Sequence, residues 1–180
     1  MIYLITGASH TGKTYLASEM LKKLHISTLS QDHIKMGLIR SGLINMTVYD
    51  DEKLTEVLWP VTKEIMKTAI ENHQSLIIEG CYVPVNWKDD FDEELLKQIQ
   101  FVCLIMSESY INTHENDLLK YGDVIENRLE KSINKEGFIH ENKYWLDMCK
   151  THQLPYVFVD EKYDMIEQAI EQKFMKEKCR

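Results

Sequence analysis

Ile2-Tyr3-Leu4-Ile5-Thr6-Gly7-Ala8-Ser9-His10-Thr11-Gly12-Lys13-Thr14-Tyr15 follows the first methionine, and its reading decides the fold. Ile2 to Thr6 is a short apolar run of strand length ending at a glycine. From Lys13 onward, Leu16, Met20 and Leu24 recur on one face of a helix. The loop between them fits G-x-x-x-x-G-K-[ST] in full, and its position between a strand and a helix is the setting in which that pattern binds phosphate. The glycines allow backbone angles that turn successive N–H groups toward an anion, and the first turn of the helix adds its positive end to the same point. Lys13 is placed to reach the β- and γ-oxygens of a nucleoside triphosphate, and Thr14 to ligate Mg²⁺ through its hydroxyl. The expected ligand is therefore MgATP, held by Gly7, Ala8, Ser9, His10, Thr11, Gly12, Lys13, Thr14 and Tyr15. His10 reads as a variable loop position rather than a catalytic group.

Working outward, Ile26 to Ser30 can form a second strand. Asp32 can N-cap a helix that carries Ile34, Leu38 and Ile39 inward and stops near Gly42. Asp51 to His73 places Leu54, Leu58, Val61, Ile65 and Ala69 at three-four spacing, a helix that Pro60 is expected to kink. Leu76 to Ile78 forms a buried strand ending at Glu79-Gly80. Phe101 to Met106 is apolar throughout, as a central parallel strand is, with a helical region from Tyr110 to Lys131 after it. Tyr156 to Val159 supplies the last strand and Met165 to Lys176 the closing helix. Strands alternating with crossovers of more than about ten residues predict a three-layer, doubly wound, five-stranded parallel sheet with helices on both faces.

A chain of 180 residues without linkers, repeats or low-complexity tracts is expected to form a single domain over 1–180. Hydrophobic residues at 44% and charged residues at 28% predict a packed core. The net charge of −8 repels polyanions, which argues against a nucleic-acid partner. No run is long and apolar enough to cross a membrane, and Met1 leads directly into a core strand, so a cytoplasmic location without membrane attachment is expected. Cys81, Cys103, Cys149 and Cys179 are scattered, as reduced core thiols are, and form neither a disulfide framework nor a zinc pattern.

With the loop in place, three further stretches make the chain resemble the nucleoside and nucleotide kinase group of P-loop proteins, the adenylate-kinase-like fold. The stretch His25-Ile26-Ser27-Thr28-Leu29-Ser30-Gln31-Asp32 sets Asp32 just after the second strand, where related small-molecule kinases place an Asp on the acceptor side of the γ-phosphate. Ile77-Ile78-Glu79-Gly80-Cys81-Tyr82-Val83-Pro84 is similar to the strand ending in Asp-Gly-x-Pro of adenylate kinases, with Glu79 in place of Asp. Val124-Ile125-Glu126-Asn127-Arg128-Leu129 falls where the group carries an Arg-bearing lid helix. The resemblance implies an ATP-dependent phosphotransferase with a small helical lid at about residues 110–135. The second lid arginine and the arginine after Asp-Gly-x-Pro have no counterpart, and Arg40, Arg128 and Arg180 are the only arginines in the chain. A mononucleotide acceptor calls for several bidentate donors, so a hydroxyl-bearing metabolite is the better expectation. The alternatives are a nucleoside monophosphate kinase and an ATP-binding regulatory switch without a small-molecule acceptor.

The resemblance assigns roles residue by residue. Lys13, Asp32, Glu79 and Arg128 are the expected catalytic groups, and Asp32, Lys35, Arg40, Glu79 and Tyr82 the expected acceptor contacts. Asp32 serves either as the base that orients the attacking hydroxyl or as a helix cap. Glu79 opens onto the ligand crevice or is an exposed strand-end acid. Arg40 clamps an anionic acceptor or ends its helix favourably. Arg128 closes over the triphosphate or lies on a solvated face. Trp59 and Tyr82 line a pocket or belong to the core. Oligomeric state leaves no mark in the sequence.

Overall fold

Consecutive buried apolar residues, Ile2, Leu4 and Ile5 in one run and Val102 to Ile105 in another, require strands covered on both faces. The computed structural model describes residues 1–114, 118 and 134–163. Strands β1 (Ile2–Gly7), β2 (Thr28–Ser30), β3 (Leu76–Glu79), β4 (Ile99–Met106) and β5 (Tyr156–Val159) form a parallel sheet of order β2-β3-β1-β4-β5, with helices on both faces. All five expected strands are present, with β2 starting two residues later and β4 two residues earlier than expected. The chain groups into two compact units, Met1–Thr6 with Ala17–Phe101, and Gly7–Leu16 with the described residues from Val102 on.

In the first unit β3 pairs with β1 and β2, so that Ile5 and Ser30 both stand in register with Glu79. The carboxyl ends of the three strands therefore lie along one sheet edge. Helix α1 (Lys13–Leu24) leaves the loop after β1, and helix α2 (Gln31–Arg40) follows β2 without an intervening loop. Ser30, and not Asp32, is the N-cap of α2. Its backbone is extended at φ −89° and ψ 130°, and its hydroxyl accepts the Asp32 N–H at 3.3 Å. The expected capping role of Asp32 is thus corrected: it lies inside the first turn, where its own side chain is released for other contacts. Removing the Ser30 hydroxyl in Ser30→Ala is expected to cost about 1 kcal/mol in a denaturant titration, the usual worth of such a cap.

Helix α3 (Asp51–Glu71) runs unbroken through Pro60. Proline removes the N–H that the Glu56 carbonyl would accept, and both residues are exposed, where water can serve that carbonyl instead. Leu54 and Leu58 of α3 pack with Tyr82, and Ile34, Leu38 and Ile39 of α2 close over them. Trp59 belongs to the core: its ring meets Phe91 edge-on at 6.2 Å and its indole N–H donates to Asp90 at 2.7 Å. Lys63 also donates to Asp90, at 2.6 Å, and these two bonds hold the Asp90 carboxyl below its ordinary range. A 3₁₀ turn (Trp87–Asp90) and the short helix α4 (Glu93–Leu96) lead into β4, and Trp87 stacks on Phe101 at 5.3 Å.

In the second unit β5 pairs with β4 from Cys103↔Tyr156 to Met106↔Val159. Helix α5 (Glu108–Thr113) is capped by the Ser107 hydroxyl, which accepts the Tyr110 N–H at 2.9 Å. Helix α6 (Lys135–Thr151) was not expected. Its inner stripe is Phe138, Asn142, Trp145 and Cys149, and the buried Asn142 interrupts the apolar signal. The Asn142 carbonyl oxygen accepts the Met106 N–H at 2.8 Å and its amide donates to the Phe138 carbonyl at 2.9 Å, so the polar group is satisfied at the end of β4. Most of the expected lid, Arg128, Cys179 and the helix Met165 to Lys176 lie outside the described residues. No described helix is long and apolar enough to cross a membrane.

Candidate functional site

The phosphate loop lies in the second unit. Gly7 and Gly12 have φ of 134° and 84°, both in the region that disfavours side chains. A Cβ on Gly7 would stand 2.2 Å from the Leu104 carbonyl oxygen, and one on Gly12 would collide with the Tyr163 hydroxyl. Both glycines are therefore required by conformation and by space. His10 adopts φ 61°, an uncommon choice for a residue with a side chain, and its ring meets Phe138 edge-on at 6.0 Å. Thr11 is fully buried, and its hydroxyl donates to the Ala8 carbonyl at 2.8 Å. Tyr163 donates to the Thr11 carbonyl at 3.1 Å, and burial raises its phenol pKa.

Lys13 is 8% exposed and its ammonium donates to the carbonyls of Ala8 at 2.7 Å and Gly7 at 3.1 Å. The charge is held at the centre of the loop that it helps to shape. The Ser9 N–H donates to both carboxylate oxygens of Glu141 on α6, each at 3.2 Å. That carboxylate sets an anionic oxygen on a backbone amide of the loop. MgATP fits these donors, with the loop amides and Lys13 for phosphate oxygens and the half-buried Thr14 at the start of α1 for the metal. Among the described residues no cluster of three His, Cys, Asp or Glu could hold a metal by itself. Mg²⁺ is normally held by few protein ligands together with phosphates, so the donor set suits it.

Asp32, Lys35, Arg40, Glu79 and Tyr82 lie in the first unit. Glu79 is 2% exposed, which removes the exposed strand-end alternative and leaves a buried carboxyl at the sheet edge. Asp32 and Lys35 form an ion pair one turn apart on α2, and Lys35 also donates to the Tyr82 hydroxyl at 3.0 Å. The Tyr82 ring is core, yet its hydroxyl emerges between Lys35 and Asp51, whose carboxylate accepts from it at 3.4 Å. Burial, with Cys81 and the carboxylates of Asp32 and Asp51 nearby, pushes the Tyr82 phenol well above its ordinary pKa, so it stays protonated and donates. Arg40 is exposed in the last turn of α2. It stands about 12 Å along the helix axis from Asp32 at 1.5 Å per residue, at the end where a cation is favoured. The structure thus brings Asp32, Lys35 and Tyr82 together and sets Arg40 apart.

Gln31 was missed by sequence reasoning. It is fully buried; its amide donates to the Thr62 hydroxyl at 3.0 Å and the Tyr82 carbonyl at 3.1 Å, and its oxygen accepts the Tyr82 N–H at 3.0 Å. A Cβ on Gly80 would stand 2.3 Å from the Gln31 side-chain oxygen, which explains the glycine after Glu79. A glutamine beside a capping serine carries no signal of burial. The Gly80 that makes room for it was the available clue.

No protein-family model matches the chain, and no curated protein sequence matches it. Among solved structures it is similar to shikimate kinase from Bacteroides thetaiotaomicron, with a TM-score of 0.55 and 15% identity over 96% of this chain and 95% of that one. It is also similar to the tunicamycin resistance protein of Deinococcus radiodurans, with a TM-score of 0.53 and 15% identity over 95% of this chain and 93% of that one. The chain has the fold of the small-molecule P-loop kinases.

Proposed function

We propose that the protein is an ATP-dependent kinase that transfers the γ-phosphoryl group of MgATP to a hydroxyl of a small molecule. The observation that carries the proposal is the loop from Gly7 to Thr14, with both glycines at positive φ where a side chain would collide, and the Ser9 amide holding a carboxylate. A kinase fold shared with shikimate kinase supports a small-molecule acceptor. Glu79 stands in register with Ile5 of β1 and with Ser30 of β2, the residue before Gln31 and Asp32, at the carboxyl ends of these strands. Ligands of open parallel sheets bind outside such carboxyl ends.

In the proposed reaction the loop amides and Lys13 hold the triphosphate and neutralise charge as the bond to the β,γ-bridging oxygen breaks. Thr14 holds the metal, which supplies charge neutralisation at the phosphates when bound. Asp32 accepts a hydrogen bond from the attacking hydroxyl and takes its proton as the new P–O bond forms. Lys35, which also donates to the Tyr82 hydroxyl, fixes the Asp32 carboxylate, and Glu79 and Lys35 contact the acceptor. Arg128 completes the charge shell from the lid. ADP release from MgATP, measured with a panel of nucleoside monophosphates, sugars, sugar acids, phosphoglycerates and aminoglycosides, tests this. Acceptor-stimulated turnover of at least about tenfold is expected, since correct orientation of the nucleophile is a large part of the barrier. Nucleotide binding without stimulation by any acceptor would favour a switch protein instead.

A further inference from the structure

The Ser9 N–H belongs to the Gly7–Thr14 loop, and it donates to a carboxylate supplied by the chain itself. Both Glu141 oxygens lie 3.2 Å from it, a bifurcated arrangement at the long end of the ordinary N–H···O range. The amide is therefore held but not well satisfied, and a phosphate oxygen approaching in line would bind it better. Glu141 belongs to α6, and its backbone is fixed by the packing of Phe138 and Trp145 on the same helix. A carboxylate so anchored stays near the cradle after it is displaced, where it repels a bare polyphosphate. A metal-loaded polyphosphate carries less negative charge and is repelled less.

We propose that Glu141 is a specificity-determining residue of the loop: it occupies the Ser9 amide until a polyphosphate displaces it, and it selects metal-loaded over metal-free nucleotide. This rests on the loop being a nucleotide site. The test is isothermal titration of wild type and Glu141→Gln with ATP and ADP, each with and without Mg²⁺. It is paired with the Ser9 amide resonance of the ligand-free proteins. Glutamine keeps the shape of the side chain and removes its charge. The expected result is metal-free ATP binding on the order of tenfold tighter in the variant, a difference of about 1.4 kcal/mol, with MgATP changed less. The Ser9 amide proton is expected to move upfield as its anionic acceptor is lost. Binding by the variant where wild type shows none supports the proposal equally. Equal affinities in the two proteins, or weaker binding of both forms by the variant, overturn it while leaving the nucleotide site intact. Absence of binding by either protein overturns the nucleotide site as well.

Discussion

Lys13→Ala lowers acceptor-dependent ADP release by at least about 10²- to 10³-fold, the range found when a preorganised charge donor is removed from a transferring group. The ammonium is 8% exposed and bonded to the carbonyls of Ala8 and Gly7, so it is held ready within the loop. The same two bonds predict a structural component, because the Ala8 carbonyl keeps Thr11 as a donor while the Gly7 carbonyl loses its ammonium partner. The variant is therefore to be compared in parallel by thermal melting and by MgATP titration. A fold that melts near the wild-type temperature with strongly reduced turnover places the loss in phosphate binding. Unchanged turnover in a variant shown to be folded would remove the nucleotide role of the loop.

Asp32→Asn is expected to reduce kcat by about 10²- to 10⁴-fold, the usual contribution of a positioned general base. Ser30 performs the capping, so the change leaves the start of α2 intact. Asparagine still offers an oxygen to Lys35, which is half-buried and keeps its bond to the Tyr82 hydroxyl. A substantial loss of stability is consequently not expected, and denaturant titration of the same samples checks this. A variant with wild-type kcat would reduce Asp32 to a partner of Lys35, and the acceptor's proton would have to leave by another route.

The parts of the molecule legible in the sequence were those encoded locally. β1, β3, β4 and β5 are apolar runs, and the loop is a contiguous pattern whose glycines are each required by its own backbone. The illegible parts depend on distant partners. Ser9 meets Glu141 across 132 positions, and Tyr163 meets Thr11 across 152. Nothing near either residue announces the contact. Helix α6 escaped because Asn142 places an amide in an apolar stripe, and that amide is explained only by the end of β4. The cap of α2 was misplaced by two residues because serine and aspartate are about equally good caps. The choice fell to the backbone of Ser30, which continues β2 up to the first turn.

Gln31 also bears on how the first unit is kept in order. Beyond the pairing of Ser30 with Glu79, β2 turns into a helix and its backbone no longer faces β3. The Gln31 side chain takes over, receiving the N–H of Tyr82 and donating to its carbonyl as the main chain of a neighbouring strand would. A single amide thus works as a prosthetic strand, extending the ladder past the point where the real one ends. Tyr82 is gripped by both of its peptide groups, and any tilt of the first turn of α2 carries the tyrosine hydroxyl with it. Asp32, Lys35 and that hydroxyl are thereby tied to one another through the first turns of α2 and the backbone of Tyr82.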